Sequence, residues 1–164
     1  MPNDSLAHSV ALLTAHRQIE QKIYRMGYAL ENGDFELVGD LLRYATFGAD
    51  QIGRRAFEGR EAIRDQYART NITYPEHGRA TREMYTNVLI DIDLDTKTAR
   101  STTAYTVAQQ TPDGGSPFAL LVAGRYEDEW ALIDDEWHWT DRFIVVQFKN
   151  DLDLHMTPGS QPYN

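Results

Sequence analysis

"NVLIDIDLD", residues 87–95, decides what kind of fold this chain makes. Val88, Ile90, Ile92 and Leu94 alternate with Asp91 and Asp93, the period of a strand with one dry face. Upstream the period is different. From about Ser5 to Asn32, Leu12, Ile19, Ile23, Met26 and Leu30 recur at intervals of three, four and seven, which predicts a long amphipathic helix. Asn32-Gly33 supplies residues that tolerate the left-handed turn ending a helix. Asp34 then caps a shorter one that points Phe35, Val38, Leu41 and Leu42 inward. "GREAIRDQYART", residues 59–70, reads as a third helix with Ile63 and Tyr67 one turn apart.

Downstream of the opening stretch, strands continue. "LDTK" (94–97) is a turn, and "TARSTTAYTVAQQ" (98–110) has the Thr and Val content of a strand. "TPDGG" (111–115) closes a hairpin. "FALLVAGRYEDEWAL" (118–132) and "WHWTDRFIVVQF" (137–148) are two long strands split by the acidic turn "IDDE" (133–136). Phe118, Leu120 and Val122 oppose Ala119, Leu121 and Ala123, so this strand is expected to start buried on both faces. A sheet that curls around the first helix would bury it so and would enclose an interior suited to a ligand. Helices first and antiparallel strands after define an α+β domain with helices on one face of a curved sheet. The tail, residues 150–164, loses periodicity and is expected to be loosely held.

The totals narrow the function. At 164 residues the chain suits one domain, and its 41% apolar and 25% charged content is that of an ordinary globule. No stretch approaches the ~20 apolar residues of a membrane span. The start "MPNDSL" has neither a basic leader nor an apolar export core, so a cytoplasmic location is expected. With no cysteine there is no disulfide and no thiolate ligand or nucleophile. A net charge of −9 with no basic cluster argues against nucleic acid as a partner. No two histidines show metal-ligand spacing, and no phosphate loop, dinucleotide fingerprint or GxSxG elbow is present, so no metal or cofactor is expected.

Four stretches in order carry a family resemblance: "ALENGDFELVGDLL" (29–42), "FEGREAIRDQY" (57–67), "YTNVLIDID" (85–93) and "AGRYEDEWALIDDEWHWTDR" (123–142). They resemble the SnoaL-like branch of the nuclear transport factor two-like superfamily, and "NDLDLHM" (150–156) is similar to a tail motif of some relatives. The resemblance implies a cone-shaped α+β barrel with a deep apolar pocket, a homodimer through the open sheet face (or a trimer), and activities from dehydratase, isomerase and polyketide cyclase to plain binding. Related dehydratases keep a Tyr and an Asp on the first helix and a His just before the "TN" of the next strand. Here those positions read Met26, Glu31 and Glu83, and a second polar position falls near Gln109.

Two readings stand for each candidate. Glu31 is either a solvated acid in the last helical turn or a desolvated proton-transfer group. Glu83 is either a solvated strand-entry acid or the partner that shares a cavity, and a proton, with Glu31. Tyr28, Tyr85 and Tyr105 are phenol donors or core packing. By alternation Tyr105 and Gln109 share a face with Thr103 and Val107, which would put both on a cavity wall. Arg142 is expected to pair with Glu127 or Asp141, or else to orient a carbonyl or anionic substrate. His138, on the same face by alternation and alone among the histidines in the sheet, is grouped with it. The functional expectation is a cofactor-independent lyase or isomerase for a bulky apolar oxygenated molecule such as a steroid, polyketide or terpenoid. Glu31, Glu83 and Tyr28 would do the chemistry, with Met26, Tyr85, Tyr105, Gln109, Arg142 and His138 holding substrate. The alternative is a non-catalytic binding or assembly module.

Overall fold

A computed structural model describes residues 2–160, with side chains from Ser5. Three helices, α1 (Pro2–Asn32), α2 (Phe35–Leu41) and α3 (Gly59–Thr70), accompany one six-stranded sheet. The strands are β1 (Thr46–Ala49), β2 (Gly53–Glu58), β3 (Thr81–Asp93), β4 (Thr98–Gln109), β5 (Ala119–Ile133) and β6 (Glu136–Lys149). Their order is β2-β1-β6-β5-β4-β3, antiparallel throughout except where β1 runs parallel to β6. β2 and β3 are free edges, so the sheet is curved and open and does not close into the expected barrel.

The helix signals act as read. Gly33 takes φ +66, and the N–H of Asp34 reaches back to the Ala29 carbonyl at 2.9 Å, a Schellman end. The Asp34 carboxylate then accepts the N–H of Leu37 at 3.0 Å and starts α2. Ile19, Ile23, Met26 and Leu30 are buried on α1, whereas Ser5 to Ala11 are exposed and project beyond the core. The β1–β2 hairpin was not expected. β1 has only four residues, and five of the six in β2 are exposed, so neither shows an apolar alternation.

Bulges decide which side chains face inward. Asn87 sits at φ +50, and the β3–β4 register steps from Thr86↔Ala104 to Leu89↔Thr102. One extra residue reverses the parity of a strand. Unbroken alternation from Val88 would turn Glu83 and Tyr85 outward, but the bulge brings them onto the inner face with Val88, Ile90 and Ile92. A second irregularity, between the pairs Glu129↔Asp141 and Trp130↔Trp139, separates His138 from Arg142. Their partners Ala131 and Asp128 lie on opposite faces of β5, so the expected shared face does not form.

Two further expectations change. Phe118 and Leu120 are 67% and 55% exposed, so β5 does not begin buried on both faces. Residues 150–157 are tied down. Asn150 donates to Leu121 O, the Ile72 and Thr157 N–H groups bond to the carbonyls of His155 and Thr70, and the Tyr74 hydroxyl reaches Leu154 O at 2.7 Å. Residues 161–164 of the expected loose tail lie outside the described residues.

Arg142 is fully buried, and its partner is Asp128, with contacts of 3.1 and 3.4 Å, while its guanidinium lies 4.1 Å over the ring of Tyr126. Glu127 and Asp141, the expected partners, bond Arg54 and Thr46 instead. Because this pair sits inside the sheet core, Asp128→Ala should cost about 3–5 kcal/mol in urea unfolding by stranding a buried cation. The double change Arg142→Met with Asp128→Leu should recover most of that loss. A cost below about 1 kcal/mol for Asp128→Ala would contradict a structural role for the pair.

Candidate active site

A cavity of about 380 Å³ lies between the inner face of β4–β6 and the wall formed by β1 and α3, with the tail across it. That size is within the ~300–1,000 Å³ of small-molecule sites. Phe47, Val107, Val122, Ile144, Val146 and Leu152 make most of it apolar. Into this lining project Arg79, Glu83, Tyr67 and His155.

These four form one constellation. Arg79 precedes β3, is 4% exposed, and donates from Nη1 to Glu83 Oε1 at 3.0 Å. Its other terminal nitrogen lies 2.7 Å from His155 Nε2. A guanidinium only donates, so Nε2 must accept and the imidazole proton sits on Nδ1. Glu83 Oε2, His155 Nδ1, the Tyr67 hydroxyl and Arg79 Nε are buried with no partner in the protein. Buried polar atoms are normally satisfied, so four such atoms on residues that line one cavity make this the candidate site.

Burial pushes the Glu83 carboxyl up from its ordinary value, with Arg79 opposing. Burial also holds His155 well below the usual imidazole range, and the adjacent guanidinium adds to this, so the ring is neutral at pH 7. The Tyr67 phenol is pushed up to about 12 by burial and stays protonated. The wall therefore sets the Glu83 carboxyl, paired with Arg79, beside two neutral donors.

The expected site residues are dispersed. Glu83 lines the cavity. Tyr105 does too, stacked 4.4 Å from Tyr126. Glu31 does not: its Oε1 accepts the Glu83 N–H and its Oε2 accepts Arg82, each at 2.8 Å, on a separate groove between α1 and β3. The two glutamates thus do not form a proton-sharing carboxyl pair. Tyr28 is 63% exposed on that groove, and Tyr85 lines the same groove, packed edge-on against Tyr126. Met26 is core beneath α1. Gln109 shares the inner face with Tyr105, but its amide donates to the carbonyls of Arg79 and Leu154, both at 3.1 Å, and so clamps the Arg79 loop to the tail. Arg142 is spent on Asp128, and His138 packs edge-on against Tyr44.

Arg79, His155 and Tyr67 were missed as site residues. The "NDLDLHM" likeness pointed at His155, and the Ile63–Tyr67 spacing put Tyr67 on the inner face of α3. Arg79 sits in an aperiodic loop and gave no signal.

Helices packed on a curved open sheet match the α+β cone fold of the nuclear transport factor two-like superfamily. The chain belongs to the SnoaL-like family, whose domain model matches residues 11–142. It is similar to a nuclear transport factor two-like protein with a cystatin-like fold from Novosphingobium aromaticivorans, at 16% identity and TM-score 0.67, over 86% of this chain and 87% of that one. A scytalone dehydratase candidate from the same organism matches at 18% and 0.66, over 87% and 91%. The β subunit of a candidate aromatic-ring-hydroxylating dioxygenase, again from N. aromaticivorans, matches at 14% and 0.64, over 89% and 97%. At these identities the likeness shows the fold alone. No curated protein matches the sequence. Among the described residues no helix is long and apolar enough to cross a membrane.

The depressed His155 makes a stability prediction. A group whose folded pKa lies below its unfolded value of 6.5 stabilises the protein above pH 6.5, and that contribution is lost as pH falls toward the folded value. Melting curves from pH 7.5 to 5.5 should show the wild type losing up to about 1.4 kcal/mol per pH unit below 6.5 relative to His155→Asn. Parallel curves for the two proteins would contradict a buried neutral His155.

Proposed function

We propose that the protein is a cofactor-independent lyase or isomerase acting on a bulky, apolar, oxygenated small molecule such as a steroid, polyketide or terpenoid. The observation that carries this is the set of partnerless buried atoms, Glu83 Oε2, His155 Nδ1 and the Tyr67 hydroxyl, on one apolar cavity wall. Glu83 Oε2 takes a proton from the carbon next to a carbonyl. His155 Nδ1–H and Tyr67 donate to the carbonyl oxygen as negative charge develops there. The proton then returns elsewhere on the carbon skeleton, giving an isomer, or leaves with a β-hydroxyl as water, giving an alkene. Arg79 opposes the rise that burial imposes on the Glu83 carboxyl.

The second reading is a binding or assembly module of the same fold, and the likeness to a dioxygenase β subunit favours it. It would use the cavity without turnover, or the outer sheet face, where Met84, Leu120 and Phe148 are exposed, to join a second copy or another subunit.

A thermal-shift panel of scytalone, hydroxytetralones and 3-ketosteroids, followed by product analysis, separates the two. Ligands that bind the native state raise the melting temperature whether or not they react. Enzyme activity predicts product from at least one hit, with Glu83→Gln lowering its rate by about 10²–10⁴-fold while the shift persists. Hits without product, or turnover that survives Glu83→Gln unchanged, would contradict the enzyme reading. In that case light scattering above the monomer mass would support assembly.

A further inference from the structure

Glu31 contacts no part of the cavity, yet it bonds to the backbone on either side of the polar cluster. Its main-chain carbonyl, at the end of α1, where helical carbonyls lack partners, accepts the N–H of Arg79 at 2.9 Å. Its side chain accepts the N–H of Glu83 at 2.8 Å. Arg79 lies in a loop and Glu83 in a strand four residues on, and Glu31 is hydrogen-bonded to the main chain of both. The approach is possible because residue 78 is glycine. Gly78 has φ +56, and a Cβ there would fall 2.4 Å from the Glu31 carbonyl oxygen.

The second carboxylate oxygen takes Arg82 at 2.8 Å, so each oxygen already has a donor, and the side chain is only 12% exposed. A carboxylate held this way is a fixed charge beside the backbone of the base. We propose that Glu31 is a positioning residue: it sets where the Arg79 and Glu83 side chains enter the cavity and tunes Glu83 through its charge. This rests on Glu83 being the base.

The electrostatics agree in sign. Burial pushes Glu83 up, Arg79 opposes, and the negative Glu31 adds to the rise. Arg142, on β6 beside Asp128, also opposes. The neighbouring Tyr67, Tyr85, Tyr105 and Tyr126 are all pushed up by burial, and His155 is held down, so these five are neutral near pH 7. Glu31 is therefore the charged group whose removal should lower the Glu83 midpoint.

The test follows the Glu83 carboxyl by ¹³C NMR titration in the wild type, Glu31→Gln, Arg82→Met and the double variant. Glu31→Gln keeps an amide oxygen to accept the Glu83 N–H but removes the charge, and should lower the Glu83 midpoint by about half a pH unit or more. Arg82→Met alters a residue whose side chain is 66% exposed, so it preserves the fold while leaving Glu31 unneutralised. It should raise the midpoint, and most of that rise should vanish in the double variant. Lower melting temperatures with no movement of the midpoint would overturn the proposal, as would shifts of the same sign in both single variants. If Glu31→Gln does not fold, the rise in Arg82→Met alone decides. If no compound of the panel is turned over but the midpoints move as stated, the catalytic reading falls and the positioning role stands. If turnover depends on Glu83 while the midpoints stay fixed, the reverse holds.

Discussion

A buried guanidinium that can only donate governs this molecule's interior. Arg79 is almost wholly removed from water, so whatever touches it must accept a hydrogen bond or carry negative charge. Two groups do. Glu83 supplies the charge that makes burial of Arg79 tolerable, and His155 supplies a ring nitrogen. From those two contacts follow the ion-pair partner that opposes protonation of Glu83 and the proton on His155 Nδ1, with both residues lining the cavity. Without Arg79, burial would favour a protonated Glu83 still further, and the tail would lose its contact to a buried charge.

Local geometry delivers these groups to one place. The Asn87 bulge turns the first half of β3 over, which moves Glu83 and Tyr85 from the outer face to the inner one. Gly78 lets the loop before β3 press against the end of α1. Gln109 then ties that loop to the tail through two carbonyls, so the segment carrying Arg79 and the segment carrying His155 cannot drift apart independently. The core beneath α1 shares Tyr67, Phe47 and Leu30 with the cavity wall. Trp130 and Trp139 stack at 4.0 Å, and Asp128–Arg142 fills the sheet core.

The fold was largely legible because it is written in periods. The 3.6-residue stripe of α1, the Asn32-Gly33-Asp34 junction and the alternation of residues 88–94 each have a local physical cause visible in one stretch of chain. What failed was whatever depended on partners elsewhere. The β1–β2 hairpin has no alternation because β2 is an exposed edge. Parity arguments for His138 and Arg142 broke at a bulge, and a bulge is a property of two strands together. Glu83 was identified as a position but not in its environment, since Arg79 lies in a loop without pattern. His155 was assigned to a loose tail because periodicity measures secondary structure, whereas that segment is held by backbone bonds to Thr70 and Ile72. Glu31 drew attention by position alone, and its bonds give it a different part.

The same arrangement suits both catalysis and capture of a ligand, and what distinguishes them is whether Glu83 is free to take a proton while its neighbours only donate. That division of labour depends on the imidazole of His155 being neutral with its hydrogen on Nδ1, aimed away from Arg79. Long-range ¹H–¹⁵N correlation spectroscopy of the imidazole nitrogens reads this directly. The arrangement predicts an unprotonated Nε2 and a protonated Nδ1 for His155 at pH 7, with a titration well below the ordinary imidazole range. A protonated Nε2, or a titration near the ordinary value of 6.5, would mean that the Arg79 contact is absent and that the cluster is not the site described.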